Sequence, residues 1–229
     1  MNFFIFVIAI CLFISLFCLH KISRDDLLFI RKDISMDKLF NIFFLVFFAG
    51  LLLSRVVYVL LYSPKMFMDP LAFLLFPYFP GLSLIGGVIG GLIFITVYSR
   101  MKNIPFGRIV DHFLFSFISS LPIGILGYFL LSGAKNYFSL ITSAIFILFF
   151  YLVIRYPYQL LLKGTIRDGS LGLIILTAFS LILFIEKIIL NYKEFAFVKL
   201  PENYLHLMVF VVCVGLFVKQ ERIITTKKR

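Results

Sequence analysis

The chain has 229 residues, of which 62% are hydrophobic and 14% charged, with a formal net charge of +11 and a mean hydropathy of +1.08. Soluble domains carry about 45–50% apolar and about 25% charged residues, so this composition excludes a water-soluble globule and points to an integral membrane protein. The positive charge does not mark a nucleic-acid partner, because no basic stripe is interleaved with aromatic residues.

A helix needs about 20 apolar residues to cross the hydrocarbon core. Seven stretches qualify in chain order, at roughly 1–19, 39–62, 81–98, 109–131, 137–154, 171–190 and 204–218. The first has no basic run ahead of its apolar residues and no small-residue cleavage site, so it reads as a retained span. Between the second and third, "LAFLLFPYF" at 71–79 is too short to cross and is bounded by prolines, which predicts a segment at the interface. The remaining connections are short ("SRMKNIPFGR", "SGAKN", "KGTIRDGS"), and the longest one on the outer side is 191–203. The expected architecture is an all-α, polytopic membrane helix bundle of about seven transmembrane helices in a single domain, 1–229.

Charge fixes the expected orientation. With seven spans, sixteen lysines and arginines fall on one side and five on the other, and Arg55 lies inside a span. Loops rich in Lys and Arg stay cytoplasmic, which predicts an outside N-terminus and a cytoplasmic C-terminus. Cys11, Cys18 and Cys213 all lie in apolar spans without CxxC spacing and read as small buried hydrophobes. Nothing has metal-ligand spacing, and no cofactor is expected. His20 and His206 read as isolated, interfacial residues, and His112 as a helix-start partner of Asp111.

The third span opens with "GLSLIGGVIGG". Each glycine inside a helix costs roughly 0.5–1 kcal/mol relative to alanine, so five in eleven residues call for a gain. Gly86 and Gly90, and Gly87 and Gly91, form two overlapping small-xxx-small pairs, which in lipid let helix backbones approach closely. The fourth span offers a matching ladder, Ser116, Ser120 and Gly124, with Gly127 one turn on. Close packing of spans three and four is therefore expected. Arg55, roughly 10 Å from the outer end of its span, shares a face with Tyr58 and Tyr62. An arginine at that depth marks a functional site or a paired partner, here helix-end carbonyls or Glu186.

"GLSLIGGVIGGLIFITVYSRMKNIPFGRIVD" resembles a stretch of bacterial prolipoprotein diacylglyceryl transferases, where Ser-x-His-Gly-Gly-x-x-Gly-Gly is followed by a basic turn, Leu-Pro-Phe and Asp. "LLLSRVVYVLLYSP" resembles that family's Gly-x-Arg-x-x-Tyr-x-x-x-Tyr helix. Gly124-Ile125-Leu126-Gly127-Tyr128-Phe129 stands where its Gly-Arg-Ile-Gly-Asn-Phe signature lies. The resemblance covers roughly 20–131, and 169–190 more loosely, where Glu186 matches a family carboxylate or is an interfacial residue beside Lys187.

It implies a multi-pass protein of the bacterial inner (plasma) membrane that moves the diacylglyceryl group of phosphatidylglycerol onto the lipobox cysteine of a prolipoprotein. The implied partners are a membrane phospholipid and a prolipoprotein signal peptide. The implied lipid-binding residues are Arg55, Tyr58, Tyr62, Ser83, Gly86, Gly87, Gly124, Gly127 and Glu186, with Arg55 near the glycerol phosphate over a floor of Gly86 and Gly87. No catalytic side chain is assigned. The family histidine is Ile85 here, its arginine and asparagine of the fourth span are Ile125 and Tyr128, and its arginine before the Glu186 position is Ile182. The family's outer segment after the fourth span is also missing, and "YPYQLL" at 156–161 lies at the other end of span five. These losses open the alternative of a catalytically lapsed member that binds lipid or a protein partner.

Overall fold

A computed structural model describes residues 2–24, 26–62, 64, 81–131, 137–190 and 201–227. The expected interfacial segment 71–79, "SGAKN" at 132–136, and residues 191–200 of the long connection lie outside the described residues.

Among the described residues the chain forms nine helices and no strand: α1 (Asn2–Ser23), α2 (Leu27–Arg31), α3 (Met36–Tyr62), α4 (Leu84–Lys102), α5 (Phe106–Leu131), α6 (Tyr137–Arg155), α7 (Pro157–Leu162), α8 (Ser170–Leu190) and α9 (Pro201–Lys227). Seven spans are long and apolar enough to cross a membrane: Ile5–Ser23, Met36–Tyr62, Leu84–Lys102, Phe106–Leu131, Tyr137–Leu162, Ser170–Leu190 and Pro201–Glu221. This is an all-α, multi-pass membrane protein, as composition and segment lengths predict. The last span, short at 204–218 on apolar count alone, lengthens because Pro201 and Glu202 begin the helix.

Local chemistry sets the ends. Ser83 takes an extended backbone and its hydroxyl accepts from the Gly86 N–H, so α4 starts at Leu84 rather than 81. It stops at Asn103, whose left-handed backbone (φ 53°) returns its N–H to the Ser99 carbonyl. Pro105 then prevents continuation. Asp26 caps α2 by accepting from the Leu28 N–H. Pro157, at the first position of α7, separates it from α6 within one apolar span.

The chain divides into two compact units, Met1–Ile5 with His20–Phe106, and Phe6–Leu19 with Gly107–Arg229. In the first, α3 and α4 pack along the glycines. A Cβ placed on Gly50 would lie 3.1 Å from the Gly87 carbonyl oxygen, one on Gly90 2.5 Å from the Leu53 Cβ, and one on Gly86 2.7 Å from the Val57 Cβ. Gly50 and Ser54 on α3 are themselves four apart, so small residues meet small residues and the backbones touch. The expected partnership of the third span with the fourth is thus corrected: the atoms closest to the α4 glycines belong to the second span. Composition could not choose, because Ser54 and Gly50 offer the same small-residue spacing as Ser116, Ser120 and Gly124.

In the second unit, the fourth-span ladder receives the first span. Val7 fills the space beside Gly127, Cys11 lies beside Gly124, and the Ser15 hydroxyl donates to the Ser120 hydroxyl at 2.8 Å. The three pairs run in opposite directions along the two helices, an antiparallel seam. The core between α5, α6 and α8 is aromatic. Phe179 meets Phe117 edge-on at 5.8 Å and Phe146 at 6.2 Å between ring centroids. At the start of α8, Asp111 is 0% exposed and accepts from the backbone N–H groups of Gly169 (2.7 Å) and Gly172 (2.6 Å). A residue of α5 therefore caps α8. Around this cap, Arg108 pairs with Asp168 at 3.1 Å, Ser170 donates to Glu221 at 2.7 Å, and Gln220 donates to the Asp168 carbonyl. Together they tie α5, α8 and the far end of α9.

Candidate functional site

Six of the expected site residues gather where α3 passes the start of α4. Ser54 and Ser83 exchange two bonds, the Ser54 hydroxyl donating to the Ser83 carbonyl at 2.8 Å and the Ser83 N–H to the Ser54 carbonyl at 3.2 Å. Beside them the Arg55 guanidinium, 3% exposed, donates to the Gly81 carbonyl at 2.8 Å. A backbone carbonyl near a helix end is thus among the partners of Arg55, one of the two kinds the sequence left open. The Tyr58 ring lies 6.0 Å from the guanidinium carbon, and Tyr62 follows it at 5.2 Å. Gly81 is required twice over. Its φ of +153° suits glycine, and a Cβ there would lie 2.1 Å from the Tyr58 ring. Gly86 and Gly87 have the open side of their backbones against Val57, Ser54 and Gly50. They set how closely α4 sits on the helix that carries Arg55.

Electrostatically this is a cationic corner. The first N–H groups of α4 carry the positive end of the helix dipole, and a full guanidinium charge stands next to the turn that begins it. Two positive elements side by side in a low-dielectric region are most stable with an anion between or beside them, and helix N-termini bind phosphate for this reason. Arg55 offers a planar fork of donors suited to phosphate oxygens.

The other expected residues belong to the second unit. Gly124 and Gly127 seat α1. Glu186 is half-buried near the end of α8, and the Thr142 hydroxyl of α6 donates to its own helix, at the Phe138 carbonyl. At the next residue an ion pair joins Lys187 of α8 to Glu202 of α9. One turn further along α9 is a group that the sequence alone presents as isolated and interfacial. His206 is 2% exposed, packs 6.3 Å from the Phe179 ring, and its Nδ1 has no hydrogen-bond partner among the described residues. The correction has a simple cause. Position 206 sits one turn inside a helix that starts at 201, and that turn faces α8. A carboxylate four residues before a histidine at the head of an apolar span was the available signal. The His112 Nδ1 lies 2.8 Å from the Arg108 carbonyl, while both Asp111 carboxylate oxygens accept from α8.

The family model of prolipoprotein diacylglyceryl transferase matches residues 2–134, more than half of the chain. The chain belongs to the prolipoprotein diacylglyceryl transferase family. No curated protein matches it. The matched region contains the whole Arg55–Ser83–Gly87 corner and the α1–α5 seam. Within it, the position of the family histidine is Ile85, 0% exposed and part of the apolar core. Ile125 is half-buried, and Tyr128 projects from the protein surface. Ile182 of α8, outside the match, is half-buried.

Proposed function

We propose that this chain is a phosphatidylglycerol–prolipoprotein diacylglyceryl transferase of the bacterial inner membrane, with its N-terminus outside and its C-terminus in the cytoplasm. The Arg55 corner is where the phosphate of the lipid donor sits. The observation that carries the reading is a buried guanidinium stationed at the start of α4, in a chain of a family whose name describes this transfer. Retaining such a charge inside a span is costly. As the thiol of the precursor displaces the phosphate, negative charge builds on the departing glycerol phosphate. A fixed cation at that point lowers the barrier by several kcal/mol, by analogy with other preorganised charge sites. Tyr58 and Ser83 keep the arginine and the first turn of α4 in register, and the close glycine seat holds both helices.

A second reading is favoured by one observation, the replacement of the family histidine by Ile85 in a fully apolar setting. Under it the corner binds lipid without turning it over. The two separate in cells depleted of their own transferase. Restored lipoprotein maturation, lost on Arg55→Ala, supports the transferase. Correct membrane insertion without rescue leaves the lipid-binding reading, to be followed by native mass spectrometry for retained phosphatidylglycerol.

A further inference from the structure

Residues 24–35 join Ser23, where the first span ends, to Met36, where the second begins, and α2 lies within them. Both ends of this short helix are closed. The Asp26 carboxylate accepts from the Leu28 N–H. Past the last turn, the Asp33 N–H returns to the Ile30 carbonyl and the Ile34 N–H to the Phe29 carbonyl, with Asp33 left-handed at φ 51°. Phe29 and Asp26 are buried and pin one side of α2 into the protein, so the opposite side is fixed outward. It presents Leu27 at 69% and Ile30 at 64% exposure, three residues apart on one face, and Arg31 falls on the same face. Lys21, Arg24, Lys32 and Lys38 are exposed in the flanking turns. Of the acids, Asp33 and Asp37 are exposed, Asp26 is taken up by the cap, and Asp25 lies outside the described residues.

We propose that this face of α2 rests on the membrane surface and binds anionic phospholipid headgroups. Leu27 and Ile30 enter between the acyl chains, and Arg24, Arg31 and Lys32 meet lipid phosphates. A connection this short, tied at both ends to a membrane span, keeps α2 within a few residues of the headgroups. A surface helix with apolar side chains on one face and Lys or Arg beside them lies in the plane of the interface. The cations set the preference among lipids, because an anionic surface attracts each nearby Lys or Arg. Seated in this way, α2 fixes the depth at which α3 enters the membrane, and α3 carries Arg55. With the orientation proposed above, the surface is that of the cytoplasmic leaflet. The contact is independent of what the Arg55 corner binds.

The chain contains no tryptophan, so Leu27→Trp installs a sole fluorescent reporter on this face. The full-length protein is reconstituted into phosphatidylcholine vesicles with and without phosphatidylserine. Emission is quenched from the lipid side by brominated acyl chains and from the water side by acrylamide. Quenching by the brominated chains should exceed that by acrylamide, rise with phosphatidylserine and fall with added salt. Each cation favours contact with an anionic surface about fivefold, so replacing all three by Arg24→Gln, Arg31→Gln and Lys32→Gln should return the quenching to its phosphatidylcholine value. Acrylamide quenching that dominates in both vesicles places the face in water and overturns the proposal. Blue-shifted emission reached by neither quencher means that a protein or a second copy of this chain covers the face, and overturns it equally. Lipid-side quenching that does not change with phosphatidylserine, or that keeps its rise in the triple variant, overturns the recognition of anionic headgroups. If Leu27→Trp does not fold, Ile30→Trp puts the reporter on the same face and is read in the same way.

Discussion

The α3–α4 seam and the cap at the start of α8 hold helices together by opposite means. Along the seam, backbone meets backbone through glycines, and polar bonds join the two helices at its end through Ser54, Arg55 and Ser83. At the cap, one carboxylate from α5 satisfies two backbone N–H groups of another helix, and further polar side chains surround it. In lipid, burying apolar surface does not drive helices together, so association relies on close packing or on polar bonds. The seam uses glycines to gain dispersion contact over its length. The cap concentrates its stabilisation in one side chain. Failure should therefore look different in the two places, gradual along the seam and abrupt at the cap.

The largest effect should come from Asp111. Asp111→Ala leaves the buried Gly172 N–H and the half-buried Gly169 N–H without their acceptor, and at about 1–3 kcal/mol for an orphaned group, with the half-buried one at the low end, the loss is about 2–4 kcal/mol. Asp111→Asn keeps one carbonyl oxygen and should lose about half of that. Thermal unfolding in detergent, with yield of folded protein as a second readout, measures both. If Asp111→Ala melts within a degree or two of the wild type, the cap is not the point of concentrated stability and the contrast collapses.

Next come the glycines, where neighbouring positions should give opposite signs. A Cβ on Gly90 meets the Leu53 Cβ at 2.5 Å and the Ala49 carbonyl at 3.3 Å. Gly90→Ala must push the helices apart, at about 1–3 kcal/mol for an overpacked site. A Cβ on Gly87 finds its nearest neighbours at 3.5 Å, an ordinary contact. Gly87→Ala should then be neutral or stabilise by up to about 0.5–1 kcal/mol through helix propensity. In the second unit Gly127→Ala meets Val7 Cγ1 at 2.3 Å. The other Val7 methyl lies at 2.8 Å and the Val7 Cβ at 3.1 Å, so any rotamer keeps a methyl in one of the two crowded places and the cost should match that of Gly90→Ala. Equal melting temperatures for the Gly87 and Gly90 variants would remove the register assigned to the seam.

How far these features are legible in the sequence depends on the distance over which each is written. The seven spans depend on local apolar runs, and all seven form. The Ser83 cap and the small-xxx-small pairs are also local. The partner of the glycines is not, because spacing gives a face and not its mate, and Gly50 and Ser54 stand outside the segment that draws attention. Asp111 capping α8 joins residues about 60 positions apart, and Glu202 meets Lys187 across the connection between two spans. No period in the sequence encodes either. Arg55 stands out because an arginine in a span is conspicuous. His206 does not, because a histidine near a span's end is ordinary until the helix is seen to begin five residues earlier.

The smallest effects test whether single hydroxyls matter in either region. Ser15 of α1 donates to Ser120, whose own hydroxyl donates onward to the Phe117 carbonyl at 2.9 Å. Ser15→Ala therefore orphans nothing, since Ser120 keeps its acceptor. Ser54 donates to the Ser83 carbonyl, which also accepts from the Gly87 N–H, so Ser54→Ala orphans nothing either. Interhelical hydrogen bonds of this kind average about 0.6 kcal/mol in membrane bundles, and each substitution should cost about that much. Their consequences for the lipid differ. Ser54→Ala loosens the turn that presents Arg55, so its effect on lipid retention should exceed its effect on melting, whereas Ser15→Ala should move only the melting temperature. Equal, small losses of bound phosphatidylglycerol in both variants would mean that the glycine seat and the Ser83 N–H bond to the Ser54 carbonyl hold the turn before α4, and that the Ser54 hydroxyl contributes nothing to the arginine's placement.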